Sequence, residues 1–240
     1  MALYRMAGLY VEMSPKYEHL KRYAEKYLCE EGCVVSGDAE VIKVGLPDSF
    51  IAERQRIDPH LSLEECEYIW FGFAFACKLI EKNGFVLHSS AVMYEDNAYL
   101  FSADSGTGKS THTSFWRDVF GKDKTVIIND DKPAIRLIDG RFCACGTPFS
   151  GKSDTSANVV YPIKALCFIY RSNKNEIRRM APSEVLNYMF DQTLRPKKEE
   201  LLAHLLEVLD GFLSNVPVYR LGVMYSPESA RFAYEAINKA

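Results

Sequence analysis

The chain has 240 residues, of which 48% are hydrophobic and 25% charged, and its formal net charge is −3. This length provides for one α/β domain with a smaller N-terminal lobe, and the composition excludes a disordered chain. A weakly acidic chain without a basic cluster is not expected to bind nucleic acid.

Membrane insertion and secretion are not expected either. The most apolar stretch, residues 68–80, is shorter than the roughly 20 residues that a helix needs to span a bilayer. Residues 1–6 lack the charged and apolar regions of a secretory signal. The seven cysteines are scattered along the chain, which is typical of reduced thiols in a cytosolic protein. We therefore expect a cytoplasmic protein.

The first part of the chain predicts a lobe of mixed strands and helices. Residues 3–13 carry the aromatic and branched side chains of a strand, with Gly8 as a bulge. Ser14-Pro15 predicts the start of a helix, with the serine as its N-cap. Residues 33–35 and 40–46 predict two strands that flank a turn at 36–38.

A longer alternation of elements follows this lobe. Ser62 and Glu65 form a capping-box pattern at the start of a helix that extends to residue 80. Beyond it, the hydrophobic pattern predicts strands at 85–93, 98–102, 125–128, 134–138, 141–145, 164–170 and 216–222, and helices at 111–119, 182–190, 196–213 and 226–237. This order indicates an α/β fold with a mixed α+β sheet, divided into an N-terminal lobe at 1–83 and a core at 84–240.

A glycine-rich loop lies between the strand at 98–102 and the helix at 111–119. Gly106 and Gly108 allow successive backbone N–H groups to point at one anion, and the start of the helix adds the positive end of its dipole. In such a loop Lys109 reaches the terminal phosphates and the Ser110 hydroxyl ligates Mg²⁺. The usual first glycine is Ala103 here, which fits only with a negative φ. We expect the phosphates of ATP to contact Asp104, Ser105, Gly106, Thr107, Gly108, Lys109, Ser110 and Thr111.

Two adjacent carboxylates end the next apolar strand. Asp130 and Asp131 follow the glycine-rich loop by about twenty residues, the order in which P-loop proteins supply a metal-binding carboxylate. Successive side chains of a strand point in opposite directions, so the two are expected to have different roles. One can hold Mg²⁺ while the other accepts a proton from an attacking hydroxyl. His88 lies on the strand before the loop, where a lone histidine is more often a core residue.

The motifs resemble those of a known family. In chain order they are Leu87-His88-Ser89-Ser90-Ala91, Ala103-Asp104-Ser105-Gly106-Thr107-Gly108-Lys109-Ser110, Ile128-Asn129-Asp130-Asp131 and Gly146-Thr147-Pro148-Phe149. This order is similar to the HPr kinase/phosphorylase family and its related P-loop kinases, whose nucleotide core is shared with phosphoenolpyruvate carboxykinase. The resemblance covers residues 84–180.

The resemblance implies a role for each matched residue. His88 resembles the family histidine near the reacting phosphate, and Asp130 resembles the carboxylate proposed as general base. Asp131 and Ser110 resemble the metal ligands, and Lys109 resembles the phosphate clamp. The implied reaction is ATP-dependent transfer of a phosphate to a hydroxyl on a protein serine, a peptide or a small molecule.

The chain also departs from the family. It lacks the glycine- and arginine-rich segment that follows the acidic pair in HPr kinases, so recognition of HPr and reverse phosphorolysis are not carried over. Lys132, Lys152 or Arg171 could supply a further cation to the reacting phosphate, and each could equally be a solvated surface charge.

Two other functions agree with the same motifs. A carboxykinase-type lyase would need a second metal site and several arginines for a dicarboxylate, and the chain is short for that family. A nucleotide-gated binding module would need no catalysis. The N-terminal lobe is the expected place of substrate recognition, and a homo-oligomer is compatible with the sequence.

Overall fold

We describe a computed structural model of the chain, which covers residues 2–30, 32–33, 35 and 41–239. Within these residues the chain forms a mixed α/β structure with two sheets, one of three strands and one of nine. No helix of the described chain combines the length and the apolar character needed to cross a membrane.

The three-stranded sheet is built by the first residues. β1 (Ala2–Met6) pairs with β2 (Leu9–Met13) in antiparallel fashion, and β2 pairs with β3 (Val41–Val44) in parallel. The prediction of one strand over 3–13 was therefore wrong. Ala7 and Gly8 both have positive φ angles, 52° and 71°, as a two-residue type I′ hairpin turn requires. The predicted strand at 33–35 and turn at 36–38 fall largely outside the described residues.

The first helix begins later than its sequence suggested. α1 spans Glu18–Ala24, and Tyr17 rather than Ser14 occupies the N-cap position. The backbone N–H groups of Lys16 and Tyr17 donate to the carboxylate of Glu67, at 2.6 and 3.0 Å. Because this buried carboxylate takes the donors that precede the helix, no cap by Ser14 is needed.

α3 (Leu63–Ile80) connects the two sheets. Its start is the predicted capping box between Ser62 and Glu65, which is confirmed. Its buried side chains Phe71 and Phe75 belong to a hydrophobic cluster that includes residues of the three-stranded sheet and of the nine-stranded sheet. A further helix, α2 (Asp48–Ile57), was not predicted because its residues are mostly polar.

The nine-stranded sheet is mixed and curled. Seven strands lie in the order β4-β8-β9-β10-β6-β5-β7, and β12 pairs with both β10 and β11. Its strands are β4 (Gly84–Val86), β5 (Ser89–Tyr94), β6 (Asn97–Ser102), β7 (Thr125–Asn129), β8 (Ala134–Ile138), β9 (Arg141–Cys145), β10 (Val160–Arg171), β11 (Glu176–Arg179) and β12 (Val218–Val223). The long β10 pairs with β9 at its beginning, and with β6 and β12 further on, so the sheet bends along this strand.

Helices cover both faces of this sheet. α4 (Lys109–Phe120) and α7 (Glu228–Lys239) pack on one face around Trp116, and α5 (Pro182–Gln192) and α6 (Glu199–Asn215) pack on the other around Phe212. The predicted helices of the core agree with these within a few residues.

The predicted strand at 85–93 is interrupted in the structure. β4 pairs with β8, whereas β5 pairs with β6 and β7, and Leu87 and His88 connect the two. The chain changes its neighbours at this point, so a continuous ladder is not formed. His88 therefore lies between two strands and not within one.

His112 fixes α4 against α7 from a fully buried position. The Trp116 indole N–H donates to His112 Nε2 at 3.4 Å. The Ser229 hydroxyl donates to the Ser226 carbonyl at 2.7 Å, so the contact of 3.2 Å between Ser229 and His112 has Nδ1–H as donor. This pattern requires a neutral ring, and burial lowers the pKa of His112 to about 3.

We expect the free energy of unfolding to fall as the pH is lowered from 7 towards 4. Below about pH 6.5 the unfolded histidine takes up a proton that buried His112 does not, so the stability present above that pH is lost. His112→Gln should flatten this dependence by at most about 1.4 kcal/mol per pH unit. Urea unfolding at each pH measures it, with His204→Gln as the partly exposed control. An unchanged slope in His112→Gln would contradict the assignment.

Candidate active site

Several strands of the nine-stranded sheet end at one edge. β6, β10 and β12 are parallel, and β5 is antiparallel to both β6 and β7. The carboxyl ends of β6, β7, β10 and β12 therefore meet at the edge where β5 begins. In α/β sheets, ligands bind outside the carboxyl ends of the strands.

The glycine-rich loop leaves β6 at this edge and leads into α4. Gly106 and Gly108 have φ angles of 78° and 115°, which residues with a side chain adopt only with strain. Ala103 is not among the positive-φ residues of the described chain, so it meets the requirement of a negative φ at this position. The backbone N–H of Thr107 donates to the carbonyl of Asp104 at 3.2 Å, which closes the loop into a tight turn.

Lys109 projects from the first turn of α4 and is 7% exposed. Its Nζ donates to the backbone carbonyl of Ala103 at 2.9 Å and to that of Asp104 at 3.4 Å. Burial lowers the pKa of Lys109, and the nearby carboxylates of Asp131, Asp104 and Asp130 oppose this shift. The Lys109 ammonium group is thus largely removed from water at the start of α4, next to the backbone of the glycine-rich loop.

Two hydroxyl groups connect α4 to the end of β7. Ser90 Oγ donates to Asp130 Oδ1 at 2.7 Å, and the Ser90 and Thr113 hydroxyls lie 2.8 Å apart. The Ser90 proton is directed at Asp130, and the single Thr113 proton is shared between Ser90 Oγ and the Ser110 carbonyl, which lies 3.0 Å away. The Thr113–Ser90–Asp130 relay is largely buried, since Ser90 and Thr113 are 0% and 1% exposed. It sets the distance between the acidic pair and the start of α4.

Asn129 shapes the turn that carries the acidic pair. Its side-chain oxygen accepts from the backbone N–H groups of Asp131 and Lys132, at 2.9 and 2.7 Å. Its amide nitrogen donates to the carbonyl of Thr147 at 3.0 Å. The Asp131 carboxylate contacts Lys132 Nζ at 2.6 Å. The two aspartates thus have different partners, hydroxyl groups for Asp130 and cationic or titratable groups for Asp131.

His88 lies beside both the glycine-rich loop and the acidic pair. Gln192 Nε2 donates to Asp104 Oδ1 at 3.1 Å, so its oxygen faces His88 and accepts from His88 Nδ1–H at 2.7 Å. The other ring nitrogen, Nε2, lies 3.4 Å from Asp131 Oδ1. Burial and the charge of Lys109 lower the pKa of His88, and the charge of Asp131 opposes this shift.

A cleft of about 420 Å³ opens beside the loop. Arg171 lines it and donates through Nη2 to the Gly106 carbonyl at 2.9 Å. Arg220 also lines it, with its guanidinium 4.5 Å from the ring centre of Tyr170 and 5.1 Å from that of Tyr188. The volume lies within the range of clefts that bind small molecules.

The residues that the sequence singled out for this site lie along one edge. They are His88, Asp104, Ser105, Gly106, Thr107, Gly108, Lys109, Ser110, Thr111, Asp130 and Asp131. Of the three candidate cations, Lys132 contacts Asp131 and Arg171 contacts the loop, whereas Lys152 is exposed on a one-turn helix.

The residues that orient these site side chains were not predicted from the sequence. Ser90 and Asn129 lie inside the motifs at 87–91 and 128–131, and their polar side chains next to buried strands were the available signal. Thr113 lies four residues after Lys109 on the same face of α4, which helical spacing could have indicated. Gln192 ends α5, about one hundred residues from His88, and has no local signal.

Comparison with solved structures finds distant similarity. No model of a known protein family matches the chain, and no curated protein sequence matches it. The solved HPr(Ser) kinase/phosphatase from Coxiella burnetii matches with a TM-score of 0.37 and 10% sequence identity, over 65% of this chain and 99% of that chain. This is a distant structural similarity, and the assignment of residues depends on the geometry of this chain alone.

We expect Lys109→Met to raise the pKa of His88, because the substitution removes a nearby positive charge that disfavours the imidazolium form. An NMR titration of the histidine ring protons measures this pKa, and His88→Gln identifies the signal among the five histidines. Lys122→Met, an exposed substitution beyond α4, is the control and should leave the titration unchanged. A His88 pKa that stays the same or falls in Lys109→Met would contradict the described arrangement.

Proposed function

We propose that the protein is an ATP-dependent kinase that transfers the γ-phosphate to a hydroxyl group, with a nucleotide core like that of phosphoenolpyruvate carboxykinase. One observation carries this proposal. The glycine-rich loop, with buried Lys109 at the start of α4, and the acidic pair Asp130-Asp131 lie at the same edge and are joined by the Thr113–Ser90–Asp130 relay.

In the proposed reaction the loop holds the triphosphate. The backbone N–H groups from Ser105 to Ser110 and the N-terminus of α4 bind phosphate oxygens, and Lys109 exchanges its contacts with loop carbonyls for contacts with the β- and γ-phosphates. Arg171, which already contacts the loop, and Lys132 add positive charge on either side.

The transfer itself needs a base near the acceptor. Asp130 takes the proton of the acceptor hydroxyl as its oxygen bonds to the γ-phosphorus, and the bond from that phosphorus to the β-phosphate oxygen breaks to release ADP. Asp130 suits this role because its described side-chain hydrogen-bond partners, Ser90 and Ser153, are neutral hydroxyls and not cations. His88, which lies beside both the loop and the acidic pair, orients the γ-phosphate.

The donor set fits Mg²⁺, although the described residues contain no group of three or more His, Cys, Asp or Glu arranged around one metal position. Mg²⁺ is usually held by one or two carboxylates together with phosphate oxygens and water, so Ser110 and Asp131 are sufficient. Asp131 would exchange its contact with Lys132 for the metal. When bound, the ion supplies charge neutralisation on the triphosphate.

Asp130→Asn and Asp131→Asn should separate the two carboxylate roles. Loss of the base in Asp130→Asn should lower turnover by about 10²- to 10⁴-fold while ATP affinity changes little. Loss of a metal ligand in Asp131→Asn should raise the Mg²⁺ concentration that half-saturates turnover. Release of ADP from Mg²⁺-ATP, measured with a library of serine peptides and a set of hydroxyl metabolites, gives both values.

Asp118→Asn, an exposed substitution on α4, is the control for these variants and should behave as the wild type. If the wild type and Asp130→Asn bound ATP equally and neither turned it over with any acceptor tested, the nucleotide-gated binding module would be favoured. If Asp131→Asn lowered turnover and Asp130→Asn raised the Mg²⁺ requirement, the roles of the two aspartates would be exchanged.

A further inference from the structure

A second cleft lies in front of His88 and shares the lining residue Gln192 with the cleft of Arg171. It measures about 280 Å³ and is lined by His88, Lys132, Asp191 and Thr193 among others. The charged and titratable side chains of His88, Lys132 and Asp191 suit this polar cleft to a polar acceptor group.

An apolar pocket of about 170 Å³ continues from this polar cleft. The two share the lining residues Val86, Lys132 and Leu194. The remaining wall consists of α3 and the segment after β9, through Tyr68, Ile69, Trp70, Gly72, Phe73 and Phe149. Lys132 is the one charged residue of the pocket lining, and it stands at the junction with the polar cleft.

The wall of the apolar pocket is already packed. The Tyr68 hydroxyl accepts the backbone N–H of Gly151 at 2.9 Å, which anchors the Tyr68 ring in the wall. Phe149 lies against Tyr68 and Phe75, with ring centres 5.8 and 5.6 Å away. Gly72 allows this approach, since a Cβ atom there would lie 3.0 Å from the Phe149 ring. The pocket therefore presents a shaped apolar surface.

The outer rim of the pocket exposes apolar side chains beside the reacting groups. Ile69 is 46% exposed, and Trp70 and Phe73 are partly exposed next to it. Such residues on a protein surface usually mark a binding site when they are contiguous. Here they adjoin the cleft that contains His88 and Lys132, so the same bound molecule can reach both.

We propose that the apolar pocket of α3 is a specificity subsite, which receives a large apolar side chain next to the phosphorylated serine or threonine of an acceptor polypeptide. This inference rests on the proposed kinase function. The pocket is smaller than the roughly 300 Å³ at which clefts enclose whole small molecules, so it accommodates one side chain. A polar cleft followed by an apolar pocket matches a hydroxyl residue followed by an apolar one. A small polar metabolite would leave the pocket unused.

Peptides with a central serine test this subsite. The wild type should phosphorylate peptides with leucine or phenylalanine beside the serine with a kcat/KM about tenfold or more above that of the same peptides with glycine or aspartate there. Ile69→Asp, which puts a carboxylate on the exposed rim, should reduce the ratio of these two kcat/KM values about tenfold. Because it is a ratio, partial misfolding of the variant does not change it.

Leu206→Asp is the matched control. Leu206 is 40% exposed on α6, outside both the polar cleft and the apolar pocket, and its replacement should leave the ratio and the rate of ATP turnover unchanged. Equal kcat/KM for all flanking residues, an unchanged ratio in Ile69→Asp, or transfer to small hydroxyl metabolites alone would each overturn the subsite.

Tryptophan fluorescence separates failure of the subsite from failure of the kinase proposal. The chain has two tryptophans, of which Trp116 is fully buried and Trp70 lines the pocket. A leucine-flanked serine peptide should change the emission of the wild type but not of Trp70→Phe. A fluorescence change without phosphorylation would support peptide binding at the pocket and contradict the kinase function. Phosphorylation without any change in Trp70 emission would support the kinase function and contradict the subsite.

Discussion

The hydrogen bonds from Thr113 to Ser90 and from Ser90 to Asp130 are the constraint on which the rest of the site depends. They join α4, the start of β5 and the end of β7, three elements that the chain reaches at separate points. Buried hydrogen bonds of this kind are strong because water does not compete for them, and they leave little freedom in the distance between the groups that they connect. The acidic pair is therefore held at a fixed position relative to the glycine-rich loop, which is what in-line transfer between two bound groups requires.

The fold was predictable where local chemistry alone decides the backbone. The turn at Asp139-Gly140 has positive φ angles at both residues, as its sequence indicates, and the capping box at Ser62 starts α3. The prediction failed where a distant residue decides. The carboxylate of Glu67 takes the donors in front of α1, and the strand at 85–93 breaks because β4 and β5 have different partners. The hairpin at Ala7-Gly8 was missed because alanine seldom occupies the first position of such a turn.

The candidate site was likewise predictable where local sequence decides and not where distant residues decide. The residues that would touch a ligand lie in short motifs that sequence spacing reveals, because a loop that binds phosphate needs particular residues at fixed intervals. The residues that orient them were less visible. Gln192 sets the orientation of His88 from the far end of α5, and only the packing of α5 against the edge brings the two together. The proposed acceptor subsite has no sequence signal either, since its aromatic side chains follow the pattern of a helix that packs in the core.

In the proposed function, the glycine-rich loop and the acidic pair act on one nucleotide. A crystal structure of the protein with Mg²⁺ and a non-hydrolysable ATP analogue tests this directly. We expect a terminal phosphate within hydrogen-bonding distance of Lys109 Nζ and of the loop N–H groups, with Asp130 and Asp131 facing it. A nucleotide bound elsewhere, or a terminal phosphate directed away from both aspartates, would exclude this arrangement.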